Sequence, residues 1–290
     1  MKQRLFIVIC LILFGIVSYT PALDLRISGG LGNNAFDPAR KLPLGTNTFS
    51  PHYYPRILVD LEGDFSNYIT FGASFERDPI LRNRLGGTVG LKAGYVHLDM
   101  GPFMGVFNSA DKAVNPGISA AVRLEIPGIL YGTAMTASTI GANMNVPGNY
   151  IQSEGEAALG VWVPFALTVF SIRTRSYTEQ KTSELSLSDE QTRYQLGTEI
   201  FAKNMPYTIR VDIGYQSLRR TYAIVSEGPE TNELRSVYAG FEGVFTITPM
   251  LKLLVGMEMP VYNWGQQPLK GPPSNTVLFD LHTGVILTFP

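Results

Sequence analysis

A chain of 290 residues with 23 Lys and Arg against 24 Asp and Glu carries a formal charge of -1, which leaves no electrostatic footprint for nucleic acid. Only 16% of the residues are charged, against about 25% in soluble domains, yet the mean hydropathy is near zero. The single cysteine, Cys10, lies in the leading segment, so the remainder has no disulfide framework, thiolate metal site or cysteine nucleophile.

Residues 1–22 read as a secretory signal peptide. Lys2 and Arg4 make a positive start, Leu5 to Val17 an apolar run, and Thr20-Pro21-Ala22 a cleavage site near Ala22. Cys10 follows Ile9 inside that run, which argues against lipoprotein processing. Losing Lys2 and Arg4 takes the charge from -1 to -3. No later run of about 18 apolar residues exists, so helical spans are excluded.

Residues 23–290 read as one domain in which apolar residues recur at every second position. Leu23, Leu25 and Ile27 alternate with Asp24, Arg26 and Ser28; Ile57, Val59 and Leu61 alternate with Arg56, Asp60 and Glu62. Runs follow over Ile69–Phe75, Val89–Tyr95, a shorter Phe103–Phe107, Ile118–Ile126 and a Tyr131–Thr139 stretch whose facing is ambiguous. The second half repeats the rhythm over Ala157–Val163, Phe170–Arg175, Tyr194–Ile200, Ile209–Gln216, Val237–Phe245, Leu251–Met259 and Val277–Phe289. That makes about fourteen strands, with twelve as the alternative count.

The connections alternate in length. Asn33–Tyr53, Asp78–Leu85, Ala110–Asn115, Gly141–Tyr150, Thr178–Thr192, Ile224–Leu234 and Asn263–Asn275 are the long ones. Asp64–Asn67, Asp99–Pro102, Pro127–Gly128, Pro164–Ala166, Lys203–Pro206 and Thr248–Met250 are the short ones. Brief turns at one end and longer loops at the other are the habit of transmembrane barrels. Tyr53, Tyr54, Tyr68, Phe165, Tyr177, Tyr194, Phe201, Tyr207, Tyr222, Tyr262, Trp264 and Phe289 sit near strand ends, where amphipathic rings would form interfacial girdles.

The signal peptide, the strand rhythm, the loop asymmetry and a last strand ending on Phe289 together resemble the bacterial outer-membrane β-barrel class, porin-like but of no specific family. Pro290 departs from the aromatic ending of that class. The resemblance implies an all-β, antiparallel, up-and-down transmembrane barrel in the cell outer membrane. It also implies the lipid bilayer and the barrel assembly machinery as partners, with Leu23–Gly32 closing the sheet against the last strand.

Charges on the lipid face cost about 2–4 kcal/mol near the midplane, so the charged rows are expected to face inward. Arg26, Arg56, Asp60, Lys92, Arg123, Glu125, Arg173, Arg175, Glu199, Arg210, Asp212, Glu242, Lys252, Glu258, Asp280 and His282 are the candidate pore-lining residues. Fourteen strands lie between side-chain-filled and porin-sized barrels. The inward glycines (Gly72, Gly90, Gly94, Gly197, Gly214, Gly240, Gly256 and Gly284) point to free space. A passive channel for small solutes or ions is therefore favoured. A non-conducting adhesin or structural barrel, and a transporter of apolar solutes, are the alternatives. His52, His97 and His282 show no metal or nucleophile spacing, so neither enzymatic activity nor a cofactor is expected. Oligomeric state is left open.

Overall fold

The computed structural model describes residues 22–37, 48–109, 112–201, 206–226, 228–266 and 269–289. The signal segment up to Pro21, Arg40, Lys41, Pro43, Lys203 and Pro290 lie outside the described residues. Alternation drives the rest into fourteen strands: β1 (Ala22–Gly32), β2 (Tyr54–Asp64), β3 (Ile69–Asp78), β4 (Arg82–Ala93), β5 (Val96–Val106), β6 (Val114–Ile126) and β7 (Leu130–Thr139), then β8 (Tyr150–Val163), β9 (Ala166–Gln180), β10 (Leu185–Phe201), β11 (Tyr207–Ile224), β12 (Gly228–Thr248), β13 (Leu251–Gln266) and β14 (Asp280–Phe289). Each pairs antiparallel with its neighbours in sequence, and β1 closes on β14 from Leu23↔Phe289 to Gly32↔Asp280. Closure satisfies every edge, which a bilayer demands of a sheet.

One row of each strand faces outward and is apolar: Ile27 and Leu31 on β1, Val89 and Leu91 on β4, Leu159 and Val161 on β8, Val211 and Ile213 on β11. On β12 this row runs from Val237 through Ala239, Phe241, Gly243 and Phe245 to Ile247. Ten steps of about 3.3 Å, tilted about 40°, give a belt about 25 Å tall. That is the height of the apolar band in barrels that cross a membrane.

Several boundaries differ from the sequence reading. Asp99–Pro102 is not a turn but the middle of β5; the turn is at Gly94-Tyr95, where Gly94 takes φ 61°. Gly101-Pro102 looks like a breaker, yet it lies opposite Gly87-Thr88, where the ladder between β4 and β5 is interrupted and the missing proline N–H costs little. Asp78–Leu85 shrinks to a three-residue turn whose Ile80 and Leu81 N–H groups donate to Asp78 Oδ1 at 2.7 Å. Most of Thr178–Thr192 and Ile224–Leu234 is strand. Those segments stand above the belt, where the inner face buries Leu187, Asp189 and Leu234 and the outer face is no longer apolar, so the alternation of the belt lapses. The ambiguous β7 faces inward with its odd residues, since Thr133 pairs with Arg123 and Ala137 with Glu154.

Two loops fold into the wide mouth at the loop end. Phe36 and Phe49 from the first loop join Ile80, Leu218, Leu234, Leu269 and Leu278 in a buried apolar cluster. Backbone bonds hold it: Phe49 N–H donates to Lys270 O at 2.9 Å, and Asn33 N–H donates to Phe279 O at 3.0 Å. Asn33 Nδ2 donates to Val277 O, and Phe279 N–H donates to Asn33 Oδ1. The interior is thus capped at one end by a small hydrophobic core of its own.

Candidate functional site: a charged waist in the barrel interior

Below that cap the inward rows meet across the barrel as two ion networks. On the β3, β4, β8 and β9 wall, Arg175 reaches Asp78 at 2.6 Å, Glu154 at 2.9 Å and Glu76 at 3.3 Å. Arg84 binds Glu154 at 2.7 Å and Glu76 at 2.9 Å, and Arg173 donates to Glu154 at 2.8 Å. Three guanidiniums thus face three carboxylates, and Glu154 is wholly buried among them. Forks of this kind suit carboxylates in geometry as well as charge.

The second network likewise joins strands that are not neighbours. Arg193 on β10 grips Glu258 on β13 through both oxygens, at 3.1 and 2.5 Å. Its Nε donates to Gln216 Oε1 at 2.7 Å, and its guanidinium lies 4.6 Å from the centre of the Tyr238 ring. Across the lumen, Arg56 Nη1 and Tyr54 Oη both donate to Asp280 Oδ2 at 3.0 Å.

Three spaces lie in line along the interior. A cavity of about 310 Å³ at the turn end is lined by Arg26, Arg173, Arg210, Asp212, Glu242 and His282, among others. It narrows, past Arg56, Arg193 and Glu258, to about 20 Å³. Beyond Tyr54 and Asp78 it widens to about 250 Å³ under the loops. The middle space is a waist with room for about one water molecule. Asn34 Oδ1, Asp280 Oδ1 and Gln216 Nε2 are buried beside it without protein partners. Two acceptors and one donor are the complement of a single water.

All sixteen sequence candidates lie on the inward rows, but only some converge. Arg56, Glu258 and Asp280 form the waist; Arg173 and Arg175 belong to the wall network. Arg26 and His282 share Glu242 at 3.4 and 3.1 Å, and Arg210 pairs with Asp212 at 2.9 Å. Lys92 is spent on Asp64 at 2.6 Å. Asp60, Arg123, Glu125, Glu199 and Lys252 have no hydrogen-bond or ion-pair partner among the described residues.

Arg193, the residue that bridges the waist, was missed. It continues the odd row of Gln195, Gly197 and Glu199 one step back, between the strand read as starting at Tyr194 and the loop read as ending at Thr192. Asp78 was lost the same way, at the end of the Thr70-to-Glu76 row.

Of the glycines expected to face inward, Gly94 lies instead in the turn between β4 and β5, with nothing within 4 Å of an added Cβ, and the others already have neighbouring atoms in their space. An added Cβ at Gly214 would meet the Tyr238 hydroxyl at 2.6 Å, and one at Gly256 would run into the His282 ring. Their space is filled from neighbouring strands. Tyr54, Tyr177 and Tyr222 are likewise buried inside and belong to no girdle, whereas Tyr53, Tyr68, Phe165, Tyr194 and Tyr262 are exposed.

No protein-family profile matches the chain. No curated protein matches it in sequence. Among solved structures it is similar to the COG4313 outer membrane channel of Pseudomonas putida F1, with TM-score 0.51 and 8% identity over 93% of this chain and 98% of that one. It also aligns with the translocator domain of the autotransporter NalP from Neisseria meningitidis, with TM-score 0.48 and 11% identity over 92% of this chain and 88% of that one. At such identities the likeness is one of fold: the chain is a closed, antiparallel fourteen-stranded barrel of the outer-membrane kind.

Proposed function

We propose that the protein is an outer-membrane channel of low conductance that passes small hydrophilic ions, cations by preference, through a waist of movable charged side chains. The observation that carries this reading is the line of three polar spaces joined at a 20 Å³ constriction. The apolar belt supports membrane insertion, and with it export and delivery by the barrel assembly machinery. In the conformation described, the waist admits water; anything larger needs Arg193 or Arg56 to swing aside.

The preference for cations follows from charge that is not spent in pairs. Near the turn end Asp24, Asp60, Glu62, Glu125 and Glu199 make no hydrogen bond or ion pair among the described residues, against Arg123 and Lys252. Five carboxylates against two cations leave a negative vestibule, which raises the local concentration of positive ions. Asp24 and Glu62 are direct cross-strand partners, an arrangement of like charges that destabilises a sheet and therefore suits function better than folding.

A second reading is a non-conducting structural or adhesive barrel. It is favoured by one observation, the apolar cluster that fills the mouth. Purified protein in a planar bilayer separates the two. Small stepwise currents, with a reversal potential on the cation side, support the channel. Silence from folded, inserted protein leaves the structural barrel.

A further inference from the structure

On the outer face of β10–β13, the apolar belt ends in a row of rings. Tyr194, Tyr215 and Tyr262 lie in register beside Val237. Trp264 lies tilted against the group, with centroids 6.1 Å from Tyr215 and 5.4 Å from Tyr262. Amphipathic rings of this kind settle at the headgroup level. Two residues higher in the outward rows comes Arg235, and four residues higher come Arg219, Glu233 and Glu190. These are outward-facing charges placed where the hydrocarbon stops.

The four are not equivalent. Glu233 is 10% exposed and accepts from Ser217 Oγ at 2.6 Å and from Arg235 Nε and Nη2 at 2.9 and 3.2 Å. It therefore acts as an anchor that holds Arg235 extended with Nη1 unspent. Arg219 is 48% exposed, makes no hydrogen bond among the described residues, and stands 3.8 and 3.9 Å from Glu233 and Glu190. Exposed pairs of that length contribute almost nothing, so an incoming anion displaces Glu190 at little cost.

We infer that Arg219 and Arg235 form a docking site for the phosphate of an anionic lipid headgroup. Two guanidiniums side by side above an aromatic shelf match phosphate oxygens with forked donors, while the rings seat the glycerol and the first methylenes. The inference rests on the reading that the barrel spans a bilayer.

The chain has two tryptophans, and Trp162 faces inward far from this site, so Trp162→Phe leaves Trp264 as a reporter. That protein is reconstituted in phosphatidylcholine vesicles, and its quenching by headgroup spin-labelled phosphatidylglycerol is compared with that by spin-labelled phosphatidylcholine. The anionic lipid should be enriched at Trp264 by about fivefold for each arginine engaged. Arg219→Gln with Arg235→Gln should abolish the enrichment, and Glu190→Gln should raise it. Equal quenching by both lipids in inserted protein overturns the docking site alone, as does enrichment that survives loss of both arginines. Displacement of the lipid by inorganic phosphate also overturns it, in favour of a general anion site. Failure to insert into any vesicle overturns the membrane reading and this inference with it.

Discussion

Replacing Arg193 with alanine removes the side chain that crosses the waist. Six heavy atoms disappear beyond Cβ, a volume on the order of three water molecules, in a space that now holds about 20 Å³. The constriction should then pass a hydrated ion, and single-channel conductance in a planar bilayer should rise severalfold. Stability should fall. Glu258 loses both hydrogen bonds, and leaving one partner of a buried pair alone costs about 3–5 kcal/mol. Because about a fifth of each side chain still meets solvent, the lower end of that range is expected. A double variant, Arg193→Ala with Glu258→Ala, should recover much of the stability while keeping the wide waist, and the cycle should show coupling of about 2–3 kcal/mol. Urea unfolding in vesicles measures one arm and conductance the other. Unchanged conductance in folded Arg193→Ala protein would refute the waist as the limiting element.

Neutralising the vestibule with Asp24→Asn, Asp60→Asn and Glu62→Gln should move the reversal potential toward the anion side without loss of folding; an unmoved potential removes the charge argument. Phe36→Ala empties part of the mouth cluster and should cost about 3–5 kcal/mol while increasing open-channel noise, checked by melting and by current traces. Val211→Arg puts a charge in the middle of the outer belt, at a residue 51% exposed. In a bilayer it should cost about 2–4 kcal/mol, and a neutral effect on folding into vesicles would mean that no lipid covers that face. Gly256→Ala must displace His282, whose ring occupies the place of the new Cβ; overpacking of this kind costs about 1–3 kcal/mol and should be visible in the histidine ring resonances.

Within the belt the fold could be read from the chain, because lipid on one side and water on the other force strict alternation. Ile209 to Gln216 is a case in which every residue falls on the face that its chemistry predicts. Above the belt the outer face is polar and the pattern inverts: in Leu185-Ser186-Leu187-Ser188 the row of Leu187, which is buried, is the inner one. That is why Asp189, Arg193 and Arg220 were not recognised as interior residues, although Arg220 and Asp189 form a buried pair at 2.5 Å. The candidate site was legible as rows but not as partners. Arg193 and Glu258 are separated by two intervening strands, and only closure of the cylinder brings them face to face. The glycines misled for a related reason: a missing side chain on one strand says nothing about the ring that a neighbour lays over it.

The wall is uneven in height. β12 has 21 residues and β3 has 10, so from a common base one flank rises about 28 Å higher than the other. The space under the loops, lined by Asn83, Phe107 and Asn108, opens beside the low flank. Anything bulky that approaches from the loop end meets the tall hairpins of β9–β13 first. In the proposed channel, ions and small molecules would enter over the sill at β3–β5. Substitutions in the tower can therefore accumulate without touching the doorway.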